Sequence, residues 1–235
     1  MKLRDAGEYL LCMVFPERCI FCNEVIEPLH LACDACMADM HLILPPSCPY
    51  CGCHEQDCRC AEHRHCYDNV VAPFYYKGAV RSGILRLKKW DDPRAVDYFA
   101  AQMTAAIRRE YPDIPFEAVF YVPMTKGDQR ERGYNQSQLL AREVAKRLGL
   151  PLQHHLIKLY QTAPQKQLKL WQRKGNVLGA FGVTQLLEES HVLLVDDLLT
   201  TGASMDECAK MLKLYGVTTV TALTAALTPP DKGDE

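Results

Sequence analysis

Thirteen consecutive residues, VLLVDDLLTTGAS at positions 192–204, constrain this chain more than any other stretch of it. Val192, Leu193, Leu194 and Val195 form a continuous apolar run rather than an alternating one, which predicts a parallel strand covered on both faces. Two adjacent carboxylates follow, Asp196 and Asp197, and then a turn rich in small and hydroxyl-bearing residues: Thr200, Thr201, Gly202, Ala203 and Ser204. Beyond them Met205, Cys208, Leu212 and Tyr215 recur at steps of three and four, so a helix with one apolar face is expected, closed by Gly216. Residues 200–204 therefore read as the loop between the carboxyl end of a strand and the amino end of a helix. Unpaired backbone N–H groups and the positive end of the helix dipole meet at such a loop, and both attract phosphate. Small residues let the backbone close around an anion, and the Thr and Ser hydroxyls add donors. The paired carboxylates suit a polyol, because each accepts hydrogen bonds from neighbouring hydroxyls. A phosphate beside a vicinal diol describes ribose 5-phosphate.

Cysteine is confined to the other end. Eleven of the twelve cysteines precede Asp68, and only Cys208 lies later. They fall as Cys19-x2-Cys22, Cys33-x2-Cys36, Cys48-x2-Cys51 and Cys58-x-Cys60. Each C-x-x-C turn presents two thiolates to one tetrahedral ion, so eight thiols predict two structural Zn²⁺ sites. Cys19, Cys22, Cys33 and Cys36 are assigned to one, and Cys48, Cys51, Cys58 and Cys60 to the other. The last knuckle is tighter than the rest, and Cys53, His54, His63, His65 and Cys66 all lie near enough to replace Cys58. A disulfide framework would need an oxidising compartment. Nothing here reads as secreted: the apolar run at 9–15 follows Lys2, Arg4, Asp5 and Glu8 and stops at Pro16 without a small-residue cleavage pattern. A short packing helix and a cytoplasmic chain are expected, with Cys12 and Cys208 as ordinary buried residues.

With residues 1–66 set apart as this cysteine-rich module, 67–235 has the size of one ordinary domain. No apolar run approaches the roughly twenty residues needed to cross a bilayer, so no membrane insertion is expected. The net charge of −2 excludes a uniformly basic nucleic-acid binder. Its distribution is less neutral: no carboxylate lies between Glu143 and Glu188, where Lys146, Arg147, Lys158, Lys166, Lys169, Arg173 and Lys174 are found. Such a segment could face a polyanion, or simply be a solvated face. Strands are expected over 70–76, 118–122 and 217–223, besides 193–195. Helices are expected over 80–90, on the stripe Val96, Phe99, Ala100, Met103 and Ile107, and on Leu140, Val144 and Leu148 with Gly149 as the stop. MTKGDQRERGYNQS at 124–137 reads as a polar loop. Strands alternating with helices imply an α/β fold with a parallel sheet, whose ligands sit at strand carboxyl ends. Residues 123–126 and 196–204 both occupy such ends.

The strand, acid pair, loop and helix at 192–204 resemble the signature of the type I phosphoribosyltransferases. With VPMTKGDQRERGYNQS, TAPQKQLKLWQRKGNVLGAF and the knuckles, the order of elements resembles the ComF family (ComFC and GntX-like proteins) from Cys19 to about Ala226. The resemblance implies a phosphoribosyltransferase fold behind a double zinc ribbon, and binding of phosphoribosyl pyrophosphate with Mg²⁺. It places the ribose hydroxyls on Asp196 and Asp197, the 5′-phosphate on Thr200, Thr201, Gly202, Ala203 and Ser204, and pyrophosphate on Met124, Thr125 and Lys126. The RGxNQ element falls on Arg132, Gly133, Tyr134, Asn135 and Gln136, with Tyr134 in place of the commoner phenylalanine. A further element falls on Gln165, Lys166, Arg173 and Asn176.

The implied chemistry is displacement of pyrophosphate from the sugar C1 by a nitrogen nucleophile through an oxocarbenium-like transition state. Mg²⁺ would neutralise the leaving group while keeping most of its waters. Lys126, Arg132 and Arg173 are candidate helpers there, because charge grows there. Lys88 is a further candidate, though a surface lysine is the plainer reading. Two function classes stay open: a phosphoribosyl transferase of unknown acceptor, and a non-catalytic protein that handles single-stranded DNA. The family's association with bacterial competence implies incoming DNA and the uptake machinery as partners, and Trp171 between Lys169 and Arg173 offers a base a stacking surface.

Overall fold

The computed structural model describes residues 16–58, 60, 65–89, 92–160 and 179–230. Its strands in chain order are β1 (Asn69–Val71), β2 (Phe74–Tyr75), β3 (Ala118–Tyr121), β4 (Leu156–Lys158), β5 (Phe181–Val183), β6 (His191–Leu199) and β7 (Thr219–Leu227). Its helices are α1 (Asp34–Ala38), α2 (Gly78–Leu87), α3 (Pro93–Glu110), α4 (Lys126–Arg132), α5 (Gln136–Leu148) and α6 (Ala203–Leu214). β7 runs between β6 on one side and β1 followed by β2 on the other, with β3 outside β6, and every pairing is parallel. β4 and β5 form a separate antiparallel pair.

The unbroken apolar run of β6 follows from what covers the sheet. Leu193 and Val195 pack with Val119, Leu223 and the α3 and α5 residues Phe99, Met103, Ile107, Leu140 and Val144. Val192 and Leu194 pack with Phe120, Val220, Ala222 and the α6 residues Met205, Cys208 and Leu212. Successive side chains thus enter different cores, so an alternating pattern would leave one core polar. Each large apolar side chain taken fully from water contributes about 1.5–3 kcal/mol.

Three local expectations change. The strand expected over 70–76 is broken into β1 and β2, because Pro73 has no N–H to give the ladder; pairing with β7 lapses after Val71 and resumes at Phe74. The polar loop expected at 124–137 contains α4. Its KGDQRER sequence carries no apolar stripe, and end contacts hold it instead. Thr125 Oγ1 accepts the Asp128 N–H at 3.0 Å, and Gly133 closes the helix at φ +82°. Finally, β6 runs on to Leu199 alongside β7, and α6 begins at Ala203, so the loop drawn at 200–204 shrinks to 200–202.

The cysteine-rich segment is built into both cores. Cys19, Ile20 and Phe21 are buried in the first cluster, where Phe21 meets the edges of Tyr98 and Phe99 at ring distances of 5.6 and 6.0 Å. Ile43 and Cys53 join the second. The Tyr75 N–H donates to the His41 carbonyl and the Val70 N–H to the Pro49 carbonyl, both at 2.8 Å. Gly52, at φ +73°, lies so close to β1 that a Cβ there would sit 2.7 Å from Val70 Cγ1. Among the described residues no helix is long and apolar enough to cross a membrane.

Candidate functional site

The carboxyl end of β3 lies beside the middle of β6, joined by the Val122 N–H donating to the Val195 carbonyl at 3.0 Å. That adjacency sets Asn135 and Ser137 of the RGYNQS turn against the acid pair. Asp196 Oδ1 accepts the Ser137 hydroxyl at 2.6 Å and the Asp197 N–H at 2.9 Å. Ser137 is held in place by its own helix start: the buried Asn135 caps α5 by accepting the Ser137 N–H at 3.0 Å, and its Nδ2 donates to the Val122 carbonyl at 3.1 Å. Burial and then the charge of Asp197 push the Asp196 carboxyl up to about 7. The Ser137 hydroxyl, the Asp197 N–H and the ammonium of Lys88 pull against that rise without cancelling it.

Lys88 is not the surface lysine expected. It follows the last turn of α2, and its Nζ reaches Asp197 Oδ2 at 3.2 Å. Burial draws its pKa down, but the charge of Asp197, a hydrogen bond to it and the charge of Asp196 more than offset that, leaving a net rise. Lys88 therefore stays an ammonium beside the acid pair. The Tyr134 hydroxyl donates to the Leu87 carbonyl at 2.9 Å, which ties the RGYNQ turn to the residue before Lys88. Nothing local to 78–89 marks Lys88; its role comes from a contact 109 positions away in sequence.

Thr200, Thr201, Gly202, Ala203 and Ser204 curl round a hollow of about 40 Å³ that Asp196 also lines. That is room for a few water-sized atoms, enough for a phosphate and too small for a nucleoside. Ala203 and Ser204 are the first two residues of α6, so their N–H groups belong to the amino end of that helix. The Ala203 N–H leans on Thr201 Oγ1 at 3.5 Å. Gly202 carries the chain into the helix at φ +73°. On the other side Thr125 is buried as the α4 cap, Lys126 opens that helix, and Lys126 lines an open hollow with Gln129, Arg130 and Gly133. Lys126 and Arg132 are exposed and Met124 is half-buried. Gln165, Lys166, Lys169, Trp171, Arg173, Lys174 and Asn176 lie outside the described residues, as do Cys12, His63 and the run at 9–15.

The rest of the carboxylate-free segment does not make one open basic face. Arg147 contacts Asp97 across α5 and α3, and Arg108 donates to the Arg147 carbonyl at 2.7 Å. Lys158 lies 5.8 Å from the centre of the Phe181 ring, where burial lowers its pKa.

The cysteines form two groups. The sulfurs of Cys19, Cys22, Cys33 and Cys36 lie within 4.8 Å of one another, and so do those of Cys48, Cys51, Cys58 and Cys60. Separations of 3.7 Å for Cys22–Cys33, 3.5 Å for Cys48–Cys60 and 3.7 Å for Cys51–Cys58 are far longer than a disulfide. They approach the edge of about 3.8 Å that a tetrahedron with Zn–S bonds of 2.3 Å requires. Burial raises the Cys19 and Cys48 thiols, but hydrogen bonds from nearby backbone N–H groups and neighbouring thiols outweigh it and bring both to about 7. Burial and neighbouring thiols push Cys36 and Cys60 up, so four ionised sulfurs together call for a cation among them. Both groups could hold zinc. Cys53 instead turns its sulfur to the Cys51 carbonyl at 4.0 Å, while the Cys66 N–H donates to Asp206 on α6.

Residues 135–235 match the phosphoribosyl transferase domain family. The competence protein F of Haemophilus influenzae is 29% identical over 86% of this chain and 93% of its own length. The competence protein ComFC of Bacillus subtilis is 26% identical over 80% of each. Over most of its length the chain is similar to these ComF competence proteins. Its fold is that of the type I phosphoribosyltransferases, preceded by a cysteine-rich module. The DNA utilization protein YhgH of Salmonella typhi is 33% identical over 44% of this chain and 46% of its own. What sequence reasoning missed in this domain is the support: Ser137 under Asp196 and Lys88 on Asp197.

Proposed function

We propose that this protein binds phosphoribosyl pyrophosphate, with Asp196 and Asp197 on the ribose hydroxyls and the 200–204 segment on the 5′-phosphate. The observation that carries the reading is the meeting, at one strand end, of an acid pair with a phosphate-sized hollow lined by helix N–H donors. Pyrophosphate would face Met124, Thr125 and Lys126, with Arg132 and Arg173 as further cations. Mg²⁺ bound with the pyrophosphate would supply charge neutralisation; a site of carboxylate, hydroxyl and phosphate oxygens suits so hard an ion. The protein's own residues would orient C1 toward an attacking nitrogen: the acid pair fixes the ring, and Lys126 stabilises charge growing on the leaving oxygens. Ser137 and Lys88 hold the two carboxylates in place. The two four-cysteine groups hold one Zn²⁺ each in this reading, and reduced thiols favour a cytoplasmic setting.

The names of its relatives, competence protein and DNA utilization protein, support a part in handling incoming single-stranded DNA. Paired titrations separate the readings. Calorimetry with phosphoribosyl pyrophosphate plus Mg²⁺ should show binding, weakened by about 1.5–3 kcal/mol in Asp197→Ala if the lost hydrogen bonds are charge-assisted. A second titration with short single-stranded DNA should weaken steeply as salt rises. No heat at millimolar ligand ends the sugar-phosphate reading. Binding without pyrophosphate release to any amine, base or DNA offered favours the non-catalytic DNA-handling role.

A further inference from the structure

The second four-cysteine group and the phosphate loop face each other across one short segment. His65 lies five positions after Cys60 in the sequence and opens the stretch that lies against the start of α6. Its ring stacks on Tyr67 with centroids 4.6 Å apart, and its Nδ1 lies 3.6 Å from Asp206. The next residue, Cys66, donates its N–H to the same carboxylate. Asp206 sits in the first turn of α6, and its own N–H donates to the Gly202 carbonyl at 2.7 Å. Tyr67 is 2% exposed, and its hydroxyl lies 2.8 Å from where a Cβ on Gly202 would stand. A cavity of about 260 Å³ joins the two sides, lined by Tyr50, Cys51 and Cys60 on one and by Thr200, Thr201 and Gly202 on the other. Among the described residues the first four-cysteine group has no such neighbour; Cys19 and Cys36 pack with Phe21, Ile84 and Phe99 in the opposite core.

We propose that metal loading of the Cys48, Cys51, Cys58 and Cys60 group sets the order of the phosphate loop, transmitted by His65, Cys66 and Tyr67. It rests on the reading above of that group as a zinc site and of 200–204 as the phosphate-binding segment. With the metal in place, Cys51 and Cys60 hold one wall of that cavity, and the 65–67 segment is held between it and Asp206. His65 and Tyr67 are then held against Gly202, and the amides of 202–204 stay aimed at the hollow. Without the metal that segment gains freedom, and an anion must order it before binding, which lowers affinity. His65 and Tyr67 are positioning residues in this scheme and touch no ligand.

Amide hydrogen exchange on the full chain reads the loop directly, whether or not a ligand binds. Cys58→Ser, confirmed by zinc content to have lost the second metal, should exchange residues 198–206 about tenfold faster than wild type while α3 is unchanged. Cys22→Ser, lacking the first metal, should instead loosen α2 and α3. His65→Ala, which keeps all eight thiols, should also speed 198–206 at two zinc per chain, and should weaken ribose 5-phosphate binding by a similar factor. Unchanged exchange at 198–206 after loss of the second metal overturns the proposal, as does equal loosening on loss of either metal. Should Cys58→Ser fail to fold, unchanged exchange in His65→Ala is sufficient to reject it. If wild type binds no ribose 5-phosphate, the ligand reading falls while the exchange experiment still decides the coupling.

Discussion

At Asp196 one carboxyl group meets two opposing demands. It accepts the Ser137 hydroxyl and, in the proposed reading, would be ionised to accept a ribose hydroxyl as well, yet burial and Asp197 favour its proton. The unfolded carboxyl titrates near 3.8 and the folded one near 7, so between those values the folded protein holds a proton the unfolded chain has released. Stability contributed by this group is therefore fullest at low pH and declines as pH rises through that window. Asp196→Asn keeps an acceptor for Ser137 and removes the titration. Urea midpoints should show the variant gaining on wild type between about pH 4 and pH 7, while its ribose 5-phosphate affinity loses part of the rise that wild type shows over the same range. A gap that stays constant with pH would contradict this. Asp196 and Asp197 stood out as candidates because adjacent acids after an apolar run are a local pattern. Lys88 and Ser137 were not, since their partners lie 109 and 59 positions away and no short window contains both.

Elements divide along the same line. α3, α5 and α6 announced themselves, because each buries a stripe at helical spacing. α4 has no stripe to bury and is held by Thr125 and Gly133, so periodicity misses it. The break between β1 and β2 was visible in Pro73, whose missing N–H matters only once β7 lies alongside. Length misled at β6: the acids looked like its end, but β7 carries pairing on to Leu199. The consequence for α6 is testable. Gly202→Val places a β-branched residue at φ +73° and a Cβ against Tyr67, a backbone cost of about 1–2 kcal/mol before the clash is counted. Denaturation should show a loss of at least that size, and calorimetry should show ribose 5-phosphate binding weakened further than ribose binding. Equal losses for the two ligands would mean that the hollow does not hold the phosphate.

For the whole molecule, the cysteine spacing gave the grouping of eight thiols but not how the segment joins the rest. Knuckle spacing is set within a few residues, whereas Phe21 against Phe99 and Gly52 against Val70 depend on the sheet having formed. Elemental analysis of the full chain should find two zinc per chain, falling to one in Cys58→Ser and remaining at two in Cys66→Ser. One zinc in wild type would remove the second site as drawn.

The central position of β7 governs when this molecule can become itself during synthesis. Asn69 pairs with Thr221, so the middle of the sheet stays open until the chain has grown some 150 residues past β1. A ribosome adding about 5–20 residues per second needs roughly eight to thirty seconds for that stretch. Both thiol groups close over short spans and are complete in the nascent chain well before then. Their capture of metal, or their oxidation, is thus decided while Phe21, Phe74 and Phe99 still wait in water for the strand that will bury them.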